Sequence, residues 1–257
     1  MTLQTNENLS SVSQTAAKSF ISKIAPLIQK YAKKYGYKVV SSIIAQACIE
    51  SAWGTSSLAY KHHNYFGMKC GSSWKGKSVN LKTKEEYNVG HLTTIKDNFR
   101  AYDSMEEGIE GYFKFISPSR YANLKSASTA KQYLERIKAD GYATSSTYVT
   151  TCMNVVTKYN LKQYDNFSDI CPYDTPAKVV KAGAKGEGVK WLQWHLNKLI
   201  EQNIVQCDIL DVDGSFGPKT QAVFKTFQKL YPETGTNGKP DGSCGSKCRA
   251  KLIALIG

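Results

Sequence analysis

The sequence predicts an α+β protein: a mainly helical domain with a small β-lobe, followed by a separate three-helix bundle. Three observations lead there. Apolar residues recur at helical spacing across residues 13–35, 41–57 and 104–159. Residues 61–103 break that period, hold Gly67, Gly71, Gly76 and Gly90, and include alternating runs such as Ser78-Val79-Asn80-Leu81, the pattern of strands. Beyond Asn166 the helical period disappears among Pro172, Pro176, Gly183 and Gly186, which marks a break between domains. The boundaries follow: a first domain over 1–165, a linker over 166–178 and a second domain over 179–257.

Taken in order, residues 1–13 are polar and expected to fray. Ser13 to Tyr35 reads as a helix with Phe20, Ile21, Ile24, Leu27, Ile28 and Tyr31 on one face. Pro26 is expected to kink or split it, and Gly36 to end it. The next stretch, Ser41 to Ser57, is the one the first domain is organised around. Ile43, Ile44, Ala47 and Cys48 give it an apolar stripe, and Gly54 is its expected end. After the β-lobe, Ser104-Met105-Glu106-Glu107 is a capping box, and its helix buries Ile109, Tyr112, Phe113 and Ile116 before Pro118. Two more helices follow near 128–139 and 148–159.

In the second domain, Val189, Leu192, Leu196 and Leu199 face inward from one helix. Pro218 suits the first turn of the next, whose buried face is read as Ala222, Val223, Phe227 and Leu230. A last helix covers about 246–256. The sequence suggests no internal repeat.

Composition narrows the function classes. The chain has 257 residues, 41% of them hydrophobic, enough for folded cores, and no run reaches the roughly eighteen apolar residues that a membrane span needs. Its 16 Tyr, against 9 Phe and 4 Trp, suit carbohydrate, since an aromatic face packs on sugar C–H groups while a hydroxyl hydrogen-bonds. The net charge is +13, most of it in residues 1–165, which hold 22 Lys and Arg against 12 Asp and Glu. Such an excess attracts polyanions. Nucleic acid and an anionic cell wall both qualify on charge, but no Arg-rich cluster or nucleic-acid-binding signature is present, so no nucleic-acid partner is expected. The first thirty residues lack the basic start, apolar core and cleavage site of a secretion signal, so the expected location is the cytosol, with exit by another route.

Metal and thiol chemistry are not expected either. Seven Cys (48, 70, 152, 171, 207, 244 and 248) make an odd count that argues against a disulfide framework. Cys48 and Cys152 lie on helical apolar faces and read as core residues. Adjacent His62 and His63 cannot converge on one metal, and no helical His-x-x-x-His exists. Asp211-x-Asp213-Gly214 begins like a calcium loop, but Ala222 stands where the bidentate Glu belongs. No cofactor is expected.

One carboxylate stands out. Glu50 follows Gln46 by one helical turn and Ile43 by two, so it lies at the edge of the apolar stripe. Partial desolvation there favours its neutral form, which a general acid needs near neutral pH.

The surrounding residues give this a context. They run Ala45-Gln46-Ala47-x-x-Glu50-Ser51-x-Trp53-Gly54, His63-Asn64-Tyr65-Phe66-Gly67-Met68-Lys69, Trp74, Thr83-Lys84-Glu85-Glu86-Tyr87, Phe99-Arg100-Ala101-Tyr102, Ser119-Arg120-Tyr121-Ala122 and Gly141-Tyr142-Ala143-Thr144. This ordered set resembles the glucosaminidase family of bacterial and phage cell-wall hydrolases and covers roughly residues 20–165. Gly186-x-Gly188-Val189-x-x-Leu192-Gln193 and Asp213-Gly214-x-Phe216-Gly217-x-x-Thr220, continuing to Gln228, resemble the peptidoglycan-binding domain of wall hydrolases.

The resemblance implies a lysozyme-like fold and an endo-β-N-acetylglucosaminidase acting on bacterial peptidoglycan as a monomer. It implies Glu50 as general acid and Glu86, anchored by the adjacent Tyr87, as second carboxylate; counting from Thr83 would select Glu85 instead. Tyr121 is implied as a cleft tyrosine acting in catalysis. Gln46, Trp53, Tyr65, Phe66, Trp74 and Tyr142 are the residues expected to meet substrate. A wall substrate without a secretion signal suggests a phage endolysin. The alternatives are a muramidase or lytic transglycosylase using the same Glu50, and a non-catalytic wall-binding protein.

Overall fold

The computed structural model describes residues 12–88, 91–167 and 169–256, with the backbone alone over 82–88 and 91–95. The Ser13 hydroxyl accepts from Ala16 N at 3.1 Å and opens α1 (Gln14–Tyr35). Pro26 lies inside α1 without splitting it, because Phe20, Ile21, Ile24, Ala25 and Ile28 keep one face packed on both sides of the ring. Gly36 ends the helix in the left-handed conformation, as expected.

The organising helix, α2 (Ser41–Glu50), departs from its sequence reading in two ways. All ten residues are buried, so it has no wet face, and it stops at Glu50 instead of near Gly54. The burial follows from its surroundings: α1, α5 (Ala130–Ala139), α6 (Tyr148–Lys158) and a short turn over Leu161–Asp165 pack around it. Asp165 also caps it across the fold. One carboxylate oxygen accepts from Val40 N and Ser41 N, both at 2.8 Å, and the other accepts from the Ser41 hydroxyl at 2.8 Å. A carboxylate at a helix N-terminus satisfies orphan amides and opposes the helix dipole.

A short helix, α3 (Ser57–His62), precedes the β-lobe and carried no sequence prediction. The lobe is a hairpin of β1 (Ser78–Asn88) and β2 (His91–Arg100), antiparallel from Ser78↔Arg100 to Glu86↔Leu92, with an irregular register between Glu86 and Asn88. Ser104 then caps α4 (Met105–Phe115) by accepting from Glu107 N at 3.1 Å. The return bond from Glu107 reaches Asp103 N at 2.9 Å, one residue earlier than a capping box places it. Ile109, Tyr112, Phe113 and Ile116 are all fully buried, as the periodicity requires. Together these elements make the predicted α+β unit, mainly helical with a small β-lobe.

Two compact units divide after Ile170, within the span read as linker. Phe167 belongs to the first core, while Cys171 and Tyr173 belong to the second. In the second unit, α7 (Glu187–Glu201), α8 (Pro218–Leu230) and α9 (Ser246–Ile256) form the predicted bundle, with a two-residue ladder joining β3 (Val180–Lys181) to β4 (Ser243–Cys244). On α8, Val223 and Phe227 are buried as predicted, but Ala222 and Leu230 are exposed, and Phe224 and Gln228 are buried in their place.

This unit also contains a duplication that the sequence reading missed. The Gln193 amide accepts from Gly214 N at 2.9 Å and donates to Asp213 at 2.8 Å; the Gln228 amide accepts from Gly242 N at 2.8 Å and donates to Asp241 at 2.8 Å. Each Asp takes the amide of the Ser two residues on, and each turn starts a helix. The two turns share Asp-Gly-Ser, a later Gly and a Lys, but Gln and Asp stand 20 residues apart in one copy and 13 in the other. Unequal spacing hides the repeat from a linear reading. The same bonds explain Asp213 without calcium.

His195 in α7 is buried against Trp191, its ring 3.9 Å from the indole, and Nδ1 lies 2.8 Å from the Trp191 carbonyl. Burial holds its pKa down at about 4, against an ordinary 6.5. Between those values the unfolded chain takes up a proton that the folded one refuses, so stability falls as pH drops through that window, by on the order of 3 kcal/mol. Urea unfolding of the whole chain at pH 7 and pH 4.5 tests this. His195→Gln should lose less of its own stability over the interval than the unaltered chain does.

Candidate active site

Glu50 is the last residue of α2 and is 8% exposed. The backbone turns sharply beyond it. Ala52, Trp53 and Gly54 are all left-handed, with φ of 48°, 53° and 78°. Two non-glycine residues in that region store backbone strain of about 1–3 kcal/mol each. Ser51 holds the turn, its hydroxyl donating to Ala47 O at 2.5 Å and accepting from Gly54 N at 2.8 Å. Gly54 admits no side chain, since a Cβ there would run into the Phe20 ring.

Tyr142 and Tyr148 are buried within reach of the Glu50 charge. Burial first, then neighbouring charges that include Glu50, hold both phenols well above their ordinary range. Burial, and next the Glu50 charge, also push the Cys152 thiol up. Each of these groups keeps its proton through neutral pH and remains a donor.

The aromatic residues expected to meet substrate divide into two sets. Phe66 is fully buried and stacks on Tyr112 with centroids 3.8 Å apart, so it is core. Gln46 is fully buried as well, its amide bonded to Tyr112 and Tyr148, so it supports the site from within. Trp53, Tyr65 and Tyr142 pack in the same core but keep slight exposure, 6%, 4% and 3%. The Tyr142 hydroxyl donates to Phe66 O at 3.0 Å, and the Tyr65 hydroxyl lies 3.2 Å from His63 Nδ1. Trp74 is half-buried, with its indole N–H donating to Lys77 O at 2.9 Å.

Two residues that the sequence reading did not select join these sets. The Arg100 guanidinium lies 4.5 Å from the Trp74 ring and 5.1 Å from the Phe115 ring. Phe115 in turn lies 5.7 Å from Tyr121 and 6.3 Å from Tyr142. A continuous aromatic and cationic wall thus runs from the base of the hairpin to the tyrosines beside Glu50. Neither residue could be chosen from sequence, because each acquires its meaning from partners distant in the chain. Buried Asn64 fixes the neighbouring turn, with Nδ2 donating to Met68 O and Arg100 O, both at 2.9 Å, and Oδ1 accepting from Met68 N at 2.9 Å.

Glu85 and Glu86 both lie on β1, opposite Thr93 and Leu92. Their side chains fall outside the described residues. Tyr121 is 4% exposed, on a 3-10 segment over Ser119–Ser126, and burial raises its phenol. Among the described residues no cluster of His, Cys, Asp and Glu could hold a metal, and no helix is long and apolar enough to cross a membrane.

The glucosaminidase family, described as mannosyl-glycoprotein endo-beta-N-acetylglucosaminidase, matches residues 25–161, just over half of the chain, and a peptidoglycan binding domain matches residues 185–252. The peptidoglycan hydrolase FlgJ of Pseudomonas aeruginosa is 30% identical over 167 residues, which cover 63% of this chain and 40% of that protein. The exo-glucosaminidase LytG of Bacillus subtilis is 34% identical over 136 residues, covering 50% of this chain and 47% of that protein. The chain therefore spans less than half the length of these two relatives. The solved catalytic domain of the autolysin Auto from Listeria monocytogenes aligns with a TM-score of 0.50 at 32% identity, over 62% of this chain and 94% of that one.

Proposed function

Because the chain belongs to the glucosaminidase family, we propose that it is a peptidoglycan hydrolase, an endo-β-N-acetylglucosaminidase with a wall-binding module on the same chain. The observation that carries this reading is the setting of Glu50, buried at the end of α2 just before the strained turn, with its charge acting on the buried Tyr142 and Tyr148. A carboxyl in such a setting can protonate the leaving glycosidic oxygen. The second carboxylate is Glu86 on β1, with Glu85 as its neighbour on the opposite face of the strand. It either attacks the anomeric carbon or activates water. Tyr121 hydrogen-bonds the N-acetyl group or the developing charge. Sugar faces pack on Trp74, with Trp53, Tyr65 and Tyr142 bordering them. The second unit, through its peptidoglycan-binding match, holds the enzyme at its polymer and raises local concentration without new catalytic contacts. A monomer suffices, since both roles lie on one chain.

The test is a digest of purified peptidoglycan, reduced with borohydride and read by mass spectrometry. New reduced N-acetylglucosamine ends are expected. Reduced muramic or anhydromuramic ends would move the cut to the other glycosidic bond, as in a muramidase or lytic transglycosylase. No new ends, with wall binding retained, would leave only the binding module.

A further inference from the structure

A chain of buried hydrogen bonds crosses four helices and passes through Gln46, one helical turn before Glu50. Tyr133 on α5 lies 2.9 Å from the Tyr112 hydroxyl on α4; Tyr112 donates to Gln46 Oε1 on α2 at 3.0 Å; Gln46 Nε2 donates to the Tyr148 oxygen on α6 at 2.6 Å. All four residues are fully buried. The directions are determined by chemistry. A carboxamide oxygen only accepts and its nitrogen only donates. Tyr112 spends its single proton on Gln46, so Tyr133 must donate to Tyr112. Tyr148 accepts from Gln46, so its own proton points out of the chain. Its partner there is the Cys152 thiol, one helical turn on in α6.

Gln46 stands one helical turn before Glu50, so the two side chains lie one above the other on the same face of α2. Clamping the Gln46 amide to α4 and α6 clamps the turn that carries the acid. The strained left-handed turn that follows Glu50 needs such an anchor, because strain persists only where the surroundings over-determine it.

We propose that Gln46 and Tyr148 are positioning residues for Glu50, holding the carboxyl in register with the glycosidic oxygen through the two bonds that clamp the Gln46 amide between Tyr112 and Tyr148. The proposal rests on the hydrolase reading above and gives Gln46 a role within the fold instead of at the sugar. Tyr133 belongs to the same chain but to its far end, which makes it the internal control.

The experiment compares Tyr148→Phe, Gln46→Met and Tyr133→Phe in the full chain. Tyr148→Phe and Gln46→Met should lower kcat on peptidoglycan by about ten- to a hundredfold, with KM within about twofold, since a displacement of about 1 Å at a reacting group costs up to about a hundredfold. The alkaline limb of their pH–rate profile, where a general acid loses its proton, should move. Tyr133→Phe should keep kcat within about twofold at a comparable loss of stability. A second readout needs no substrate: the 13C titration of the Glu50 carboxyl should shift in Tyr148→Phe and stay in place in Tyr133→Phe. If Gln46→Met does not fold, Tyr148→Phe decides. An unmoved titration and unaltered kcat in Tyr148→Phe overturn the proposal. So does an equal kcat loss in Tyr133→Phe, which would mark the chain as merely structural. An unaltered chain that releases no glycan ends overturns the hydrolase reading alone, and the carbon titration still decides the positioning role.

Discussion

Replacing Glu50 by Gln should lower release of reducing ends from peptidoglycan by about a thousandfold while leaving attachment to the wall intact. The substitution keeps the size and polarity of the side chain and removes only the proton that a general acid delivers, a contribution of roughly 10²–10⁴-fold. The change is mild for the fold. Glu50 ends α2 and retains slight exposure, and the amide fills the same volume as the acid. Wall binding, proposed for the second unit with its own core, should not register the change. The measurement pairs a reducing-end assay with pelleting on insoluble walls. A variant that still cleaves at the unaltered rate would remove Glu50 from the mechanism. A variant that neither cleaves nor pellets would point to misfolding, and its unfolding midpoint would tell.

Gly108→Ala should destabilise the first unit by about 2 kcal/mol, a sign opposite to what helix propensity gives. Gly108 lies inside α4, where exchanging Gly for Ala ordinarily gains about 1 kcal/mol. Here a Cβ would overlap the backbone carbonyl oxygen of His63. A backbone atom cannot step aside as a flexible side chain does, so α4 or the 63–68 turn must move. Overpacking of this kind costs about 1–3 kcal/mol, and it would displace Asn64, Tyr65 and Phe66 together. Urea unfolding gives the sign, and the reducing-end assay on the folded variant should show reduced kcat. A stabilised Gly108→Ala would mean that α4 does not approach His63 as closely as the structure has it.

Much of the fold was legible from local chemistry. Ser13, Gly36, Ser104 and Pro218 mark helix ends because capping and proline geometry are satisfied within a few residues. Four apolar positions of α4 and four of α7 are buried as their spacing requires. The readings that failed depend chiefly on distant partners. On α8, the 3.6-residue period suggested Ala222 and Leu230 as buried, but packing on α7 and the shared core selects a face centred on Phe224 and Phe227. At α2, Gly54 looked like a terminus, yet the left-handed turn held by Ser51 ended the helix at Glu50, and packing on all sides buried it whole.

The candidate site divides in the same way. Sequence alone determined the helix that carries Glu50, the hairpin that carries Glu85 and Glu86, and the order of the aromatic residues between them, since these follow from spacing along one chain. Only the tertiary structure decided which of those residues are wall and which are core. Phe66 and Gln46 went inside because Tyr112 packs on one and bonds to the other from 46 and 66 residues away. Arg100 and Phe115 entered the site because they meet Trp74, Tyr121 and Tyr142 in space. Periodicity reports which side of an element is apolar. A buried polar group must also find its hydrogen-bond partner, and where that partner lies is a property of the packed helices.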